Sequence, residues 1–142
     1  MTQEELNEVL RLHKQWLESN GNKGKRADMR GADMKDAKLQ GADMRGAHMQ
    51  GAKLQGANLQ GANLQNAYLY GADMRGAHMQ GADMRGADMK DTDMRGADMK
   101  DTDMQDADLQ GANLRRANLQ GANLDYSAWS LWCGSFDVKC DI

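Results

Sequence analysis

From Ala42 to Gly61 the chain reads ADMRG AHMQG AKLQG ANLQG, and the question is what structure has a period of five. On an α-helix of 3.6 residues per turn, apolar residues five apart are rotated by about 140° and circle the axis instead of forming a stripe. On a continuous strand, side chains alternate with period two, so equivalent residues five apart fall on opposite faces. Five is the period of neither element.

Outward from this stretch the register never breaks. Ala27 to Tyr126 is twenty consecutive pentapeptides without an insertion or deletion. The first place in the unit is Ala in eighteen copies and Thr in two (Thr92 and Thr102), and the third is Met in eleven and Leu in nine. These two places are the inside. The second place is Asp, Asn, Lys, His or Tyr, the fourth is mostly Arg, Lys or Gln, and the fifth is Gly in thirteen copies. These three are the outside.

An inward pair at the first and third places is a short strand fragment with one apolar face, and a corner must redirect the chain before the next fragment. A type II turn needs φ > 0 at its third residue, which Gly accepts without cost and Asn tolerates. Gly31, Gly41, Gly46 and Asn66 fit that corner. Corners carrying Asp36, Asp91, Asp101, Asp106, Arg116 or Tyr126 suit it less well, and most of them are expected to use another turn type.

The unit A-[DN]-[LM]-x-[GD], repeated from Ala27 to Tyr126, resembles the pentapeptide repeat family, whose consensus is a small residue, Asp or Asn, Leu or Phe, then two variable places. The resemblance implies an all-β solenoid: a right-handed quadrilateral β-helix, one pentapeptide per side and four per coil. Five coils follow (27–46, 47–66, 67–86, 87–106 and 107–126), stacked at the strand spacing of ~4.8 Å into a rod of about 24 Å. The chain departs from the family in using Met so often at the third place and never Phe, which fills the interior with flexible thioethers. Three segments result: an N-terminal capping helix and linker (1–26), the repeat array (27–126) and a C-terminal cap (127–142).

The 142 residues allow one domain, and 18 Lys and Arg against 21 Asp and Glu leave a net charge of −3, with no pull towards nucleic acid. Direct nucleic-acid binding needs a basic groove with stacking aromatics, and Tyr68 with Tyr70 is the only such cluster in the sequence. The start, MTQEELNEVL, is acidic and amphipathic, and no run approaches the ~20 apolar residues of a membrane span. A bacterial cytoplasmic protein with no membrane contact is the expectation. Cys133 and Cys140 are too few for a disulfide scaffold or a four-ligand zinc site, and both read as buried thiols.

A coil filled by Ala, Met and Leu leaves no internal pocket for substrate, so no enzyme, cofactor or metal is expected. His13 falls in the leading helix; His48 and His78 are at the outward second place. Residues twenty apart become stacked neighbours on the four-sided coil, giving a column Asp28, His48, Tyr68, Asp88, Asp108 that reads as a solvated surface, since catalysis needs fixed geometry shielded from water. The Asp residues are no calcium roll, which needs a Gly-rich nonapeptide; eight of the ten at the second place are followed two residues on by Arg or Lys, a pattern of local charge compensation. Residues 87–106 hold Asp88, Asp91, Asp93, Asp98, Asp101, Asp103 and Asp106 against Lys90, Arg95 and Lys100, a net of −4, whereas the other four coils sum to +1. That acidic belt is a candidate docking surface for a basic partner.

Open ends of a solenoid invite further pairing. Residues 2–20 read as a capping helix, with Thr2 and Glu5 as a capping box, an apolar face of Leu6, Val9, Leu10, His13, Trp16 and Leu17, and Asn20-Gly21 as the stop. Gly24 is expected to leave room for Trp16, whose replacement by Ala would then cost ~3 kcal/mol or more. At the other end, Trp129, Leu131 and Cys133 alternate before Gly134-Ser135, and Phe136, Val138, Cys140 and Ile142 alternate after it, a hairpin pattern with one wet face that sets the two cysteines apart. Trp129, Leu131, Trp132, Phe136, Val138 and Ile142 form a candidate interface through which two chains bury their C-terminal ends as a homodimer. The function expected is a noncatalytic structural or protein-interaction module with an unidentified protein partner. The alternative comes from the resemblance: some family members imitate duplex DNA, bind DNA gyrase and protect it from quinolones, although this chain lacks strong acidity.

Overall fold

The computed structural model describes residues 1–128. The hairpin, the separation of Cys133 from Cys140 and the candidate interface over Trp129, Leu131, Trp132, Phe136, Val138 and Ile142 lie outside the described residues.

Every second-place residue pairs in parallel with the one twenty residues on, from Asp28 with His48 through to Asp108 with Ala128. A spacing of twenty is four pentapeptides, so the chain is a repeat β-helix whose neighbouring rungs are one circuit apart. The period of five is explained by where the backbone hydrogen bonds go. The first-place N–H closes a turn on the third-place carbonyl three residues back, as Ala52 does on Met49 at 3.0 Å. The second-place N–H donates to the coil before it, as His78 does to Ala57 at 2.9 Å. Third and fifth places donate to the coil after it, as Leu54 does to Asp73 at 2.7 Å and Gly51 to Tyr70 at 2.9 Å. Since buried amides left unpaired are costly, this near-complete pairing fixes the register.

First- and third-place side chains fill the inside. Met29 to Leu119 at the third place are between 0 and 5 % exposed, Met as fully buried as Leu. Each such side chain contributes about 1.5–3 kcal/mol of transfer free energy. Thr92 and Thr102 replace Ala without leaving a polar orphan, because their hydroxyls donate to the carbonyls of Met89 and Met99. Partly open Ala residues fall in the terminal coils, at Ala32, Ala37, Ala42, Ala112 and Ala122.

Helix α1 (Gln3–Glu18) has the expected capping box between Thr2 and Glu5. It stops as a Schellman motif: Gly21 donates to the carbonyl of Trp16 at 2.8 Å and Asn20, at φ 52°, to that of Leu17. Leu6 and His13 are buried, and Val9 and Leu10 pack against the core. The helix also supplies polar groups that the first coil lacks. The Met1 ammonium donates to the Asp33 carbonyl at 3.0 Å, and the Gln3 amide both accepts from Lys38 N–H and donates to its carbonyl. A side-chain amide thus imitates the absent preceding strand.

Two expectations are corrected. The corners at Asp36, Asp91, Asp101, Asp106, Arg116 and Tyr126 have φ of 54–62°, matching the Gly corners. The hydrogen-bonding of neighbouring coils fixes the corner geometry, and these residues adopt it at a steric cost. Gly24 makes room for the helix backbone rather than for the Trp16 indole: a Cβ there would strike the Leu12 carbonyl and lie 2.8 Å from the Trp16 amide nitrogen. The indole lies beside Gly21 instead.

Candidate functional surface

The second place does two jobs. At all fifteen Asp and Asn residues found there, Oδ1 accepts the N–H of the fourth place, the one amide that the coil pairing leaves over. This Asx turn explains the preference for Asp or Asn there, which charge compensation alone does not. The same carboxylates then turn outward to cations two residues on. Arg30, Arg45, Arg75, Arg85 and Arg95 each grip their Asp through Nε and Nη2 at 2.6–2.9 Å. The Arg30 guanidinium holds Asp28 down to about 2, and Arg85 does the same to Asp83.

The predicted column assembles as pairs Asp28–His48, His48–Tyr68, Tyr68–Asp88 and Asp88–Asp108. His48 meets Tyr68 edge-on at 5.1 Å, and the other face of this cluster is Arg26, whose guanidinium lies 5.4 Å from the Tyr68 ring and 5.5 Å from that of Trp16. Trp16 in turn stacks on His13 at 5.6 Å. A cation held between two aromatic rings ties the capping helix to the third coil, a clamp invisible to sequence because residues 13, 16, 26 and 68 share no repeat.

The seven belt residues lie on all sides of the fourth coil. Asp88 faces Lys90, and Asp93 is held by Arg95 and approached by Arg75. Asp103 is approached by Arg85 at 3.7 Å, and Asp98 accepts from Gln80 and Asn118. Asp91, Asp101 and Asp106 occupy corners and form no ion pair among the described residues. One arrangement escaped the sequence reading: Arg75, Arg95 and Arg115 are successive members of one column, and Arg116 occupies the corner beside it. Counting in steps of twenty along the fourth place reveals it.

Surface depressions are lined by Val9, Leu12, Lys25, Arg26 and Asp28, by Gln15, Glu18, Ser19 and Lys23, and by the arginine column, all outside the coil. Among the described residues no group of three or more His, Cys, Asp and Glu is placed to hold a metal, and no helix is long and apolar enough to cross a membrane.

Pentapeptide repeats are matched in eight copies, over residues 25–51, 52–91, 62–101 and 92–127. No curated protein matches the chain. Among solved structures it is similar to the pentapeptide repeat protein Rfr23 from the cyanobacterium Cyanothece 51142, at 29 % identity over 78 % of this chain and 69 % of that one, with a TM-score of 0.51. It is also similar to alr5209, a pentapeptide repeat protein from Nostoc Pcc 7120, at 30 % identity over 92 % and 95 % of the two chains, with a TM-score of 0.42. A trypsin-treated form of QnrB1, a plasmid-mediated fluoroquinolone resistance protein, shares the fold at 16 % identity over 72 % and 68 %, with a TM-score of 0.55. With the repeats matched over most of its length, the chain belongs to the pentapeptide repeat family.

Proposed function

We propose that this chain is a noncatalytic protein-interaction module: a right-handed, four-sided solenoid of five coils that acts only through its outer surface. The observation that carries this reading is the interior. Ladders of Ala and of Met or Leu close it completely over the middle coils, leaving nowhere inside to desolvate a substrate beside converging polar groups. Outside, the backbone presents side chains in columns at the fixed strand spacing of about 4.8 Å, a rigid pattern that costs little entropy to dock. Asp91, Asp101 and Asp106, free of ion pairs among the described residues, are the belt carboxylates available to a basic protein.

Imitation of DNA at a gyrase fits less well. The likeness to QnrB1 at 16 % identity concerns the fold alone. Most side-facing carboxylates here carry their own guanidinium or ammonium, so no continuous polyanion runs along the rod. A gyrase supercoiling assay should show no inhibition at about micromolar protein; inhibition reversed by charge-neutral variants of the belt would displace the interaction reading. Cross-linking of the whole chain in its source lysate tests that reading itself. A discrete partner cross-linked along one side supports it, and turnover of a small molecule by the purified chain contradicts it.

A further inference from the structure

Arg75, Arg95, Arg115 and Arg116 line an open depression of about 640 Å³, together with Gly96 among the described residues. The first three guanidiniums belong to coils three, four and five and rise at about 4.8 Å per step; Arg116 enters from the corner. Their carboxylate supply runs out along the column. Arg75 is paired with Asp73 and approaches Asp93, and Arg95 is paired with Asp93. In the fifth coil the second place is Asn113, whose Oδ1 accepts the Arg115 amide, and neither Arg115 nor Arg116 has an ion pair among the described residues. Four guanidiniums against Asp73 and Asp93 leave an excess charge of about +2 in one concavity. Asp98, the next carboxylate along the fourth coil, is occupied by Gln80 and Asn118.

The floor fits as well. A Cβ on Gly96 would meet nothing within 4 Å, so the space above the fourth-coil corner is open. Gly76, one coil before it, is equally open, whereas Arg26 stands over Gly46 and Asn66 reaches over Gly86.

We propose that this depression binds a phosphoryl group. A phosphate monoester or pyrophosphate carries close to two negative charges and three or more acceptor oxygens, matching both the excess charge and the planar, bidentate donors that Arg115 and Arg116 present, beside the guanidinium edges that Arg75 and Arg95 leave outside their own Asp pairs. A lone carboxylate neutralises only half of that excess. The chemistry is shared by a small phosphorylated metabolite and a phosphorylated side chain of a partner. It goes beyond the interaction reading and stands without it.

The test follows the guanidinium Nε–H signals of the full chain by NMR while inorganic pyrophosphate is added at low salt. Saturable shifts confined to Arg75, Arg95, Arg115 and Arg116, and an affinity lowered by about tenfold or more in Arg115→Gln/Arg116→Gln, are expected. Arg30→Gln, on another side, should leave the titration unchanged, and unaltered melting of each variant separates lost binding from lost folding. A phosphoserine peptide in a parallel arm distinguishes the sources, the tighter of the two probes naming the source. Failure to saturate by about 10 mM, shifts spread equally over Arg30 and Arg45, or equal binding of an aspartate peptide would overturn the assignment.

Discussion

The imidazole of His13 accepts the amide hydrogen of Ala27 at 3.0 Å, standing in for a turn carbonyl that the first coil does not have. Its Nε2 faces the Arg45 carbonyl at 3.1 Å, so the ring is a neutral tautomer with the proton on Nε2. Burial lowers its pKa from the usual 6.5, outweighing the Arg45 carbonyl and Asp43, which raise it, while Arg26 and Arg45 add to the lowering. A base whose folded pKa is depressed gives its full stability above the unfolded value and loses it as pH falls through the folded one. Stability should therefore decline from about pH 6.5 downward, with early exchange of the Ala27 amide. His13→Ala should lower stability by about 2–4 kcal/mol at neutral pH and flatten that slope; an equal slope in both proteins would refute the role. Losses from Asp28 and Asp83, each held at about 2, come only below the unfolded value of 3.8.

Leu6, at 1 % exposure, is the plug of the first coil, whereas Trp16 is only half-buried. Thermal and urea unfolding of Leu6→Ala should show a loss of about 2–5 kcal/mol. Trp16→Ala should cost less, about 1–2 kcal/mol from the stacked ring and its cation contact. The opposite order would mean that the helix caps through its C-terminal half.

The second-place Asx turn predicts a gain of stability by substitution. His78 is exposed and leaves the Gln80 amide without the side-chain acceptor that Asn58 gives Gln60 at 3.1 Å. His78→Asn should raise stability by about 0.5–1 kcal/mol, and Asn58→Ala should lower it by a similar amount. Denaturant midpoints of the two variants moving in the same direction would exclude the mechanism.

Corners communicate between coils. A Cβ on Gly111, at φ 71°, would strike Asp91 Oδ1, whereas one on Gly81, at φ 65°, meets nothing. Gly111→Ala should therefore cost more than Gly81→Ala by about 1 kcal/mol. In an Asp91→Gly background that excess should vanish, a coupling read from a double-mutant cycle.

Much of this was legible because the repeat is so regular. Ala47 and Met49, inward in one unit, are inward in all, and the capping box of Thr2 and Glu5 is a local signal. The corner at Asp91 was misread because propensity describes a residue alone, while the pairing of adjacent coils imposes φ 54° there. The contact of Arg26 with Trp16 and Tyr68 joins residues without common periodicity, and no local pattern encodes it. The arginine column was readable in steps of twenty, but charge summed by coil concealed it: Arg115 and Arg116 offset Asp108 and Asp125 in the total, not in space.

The coil is closed and its backbone is satisfied within itself, leaving side chains to meet other molecules. Residue-by-residue amide hydrogen exchange on the full chain tests this most directly. Second-, third- and fifth-place amides of the middle coils should be the most protected. Fourth-place amides should split by their neighbour, slow at Gln60 and Gln65 behind Asn58 and Asn63 and fast at Gln50, Gln55 and Gln80 behind His48, Lys53 and His78. Uniformly fast exchange through the middle coils, or a fourth place indifferent to its second-place residue, would rule out a closed, self-satisfied coil.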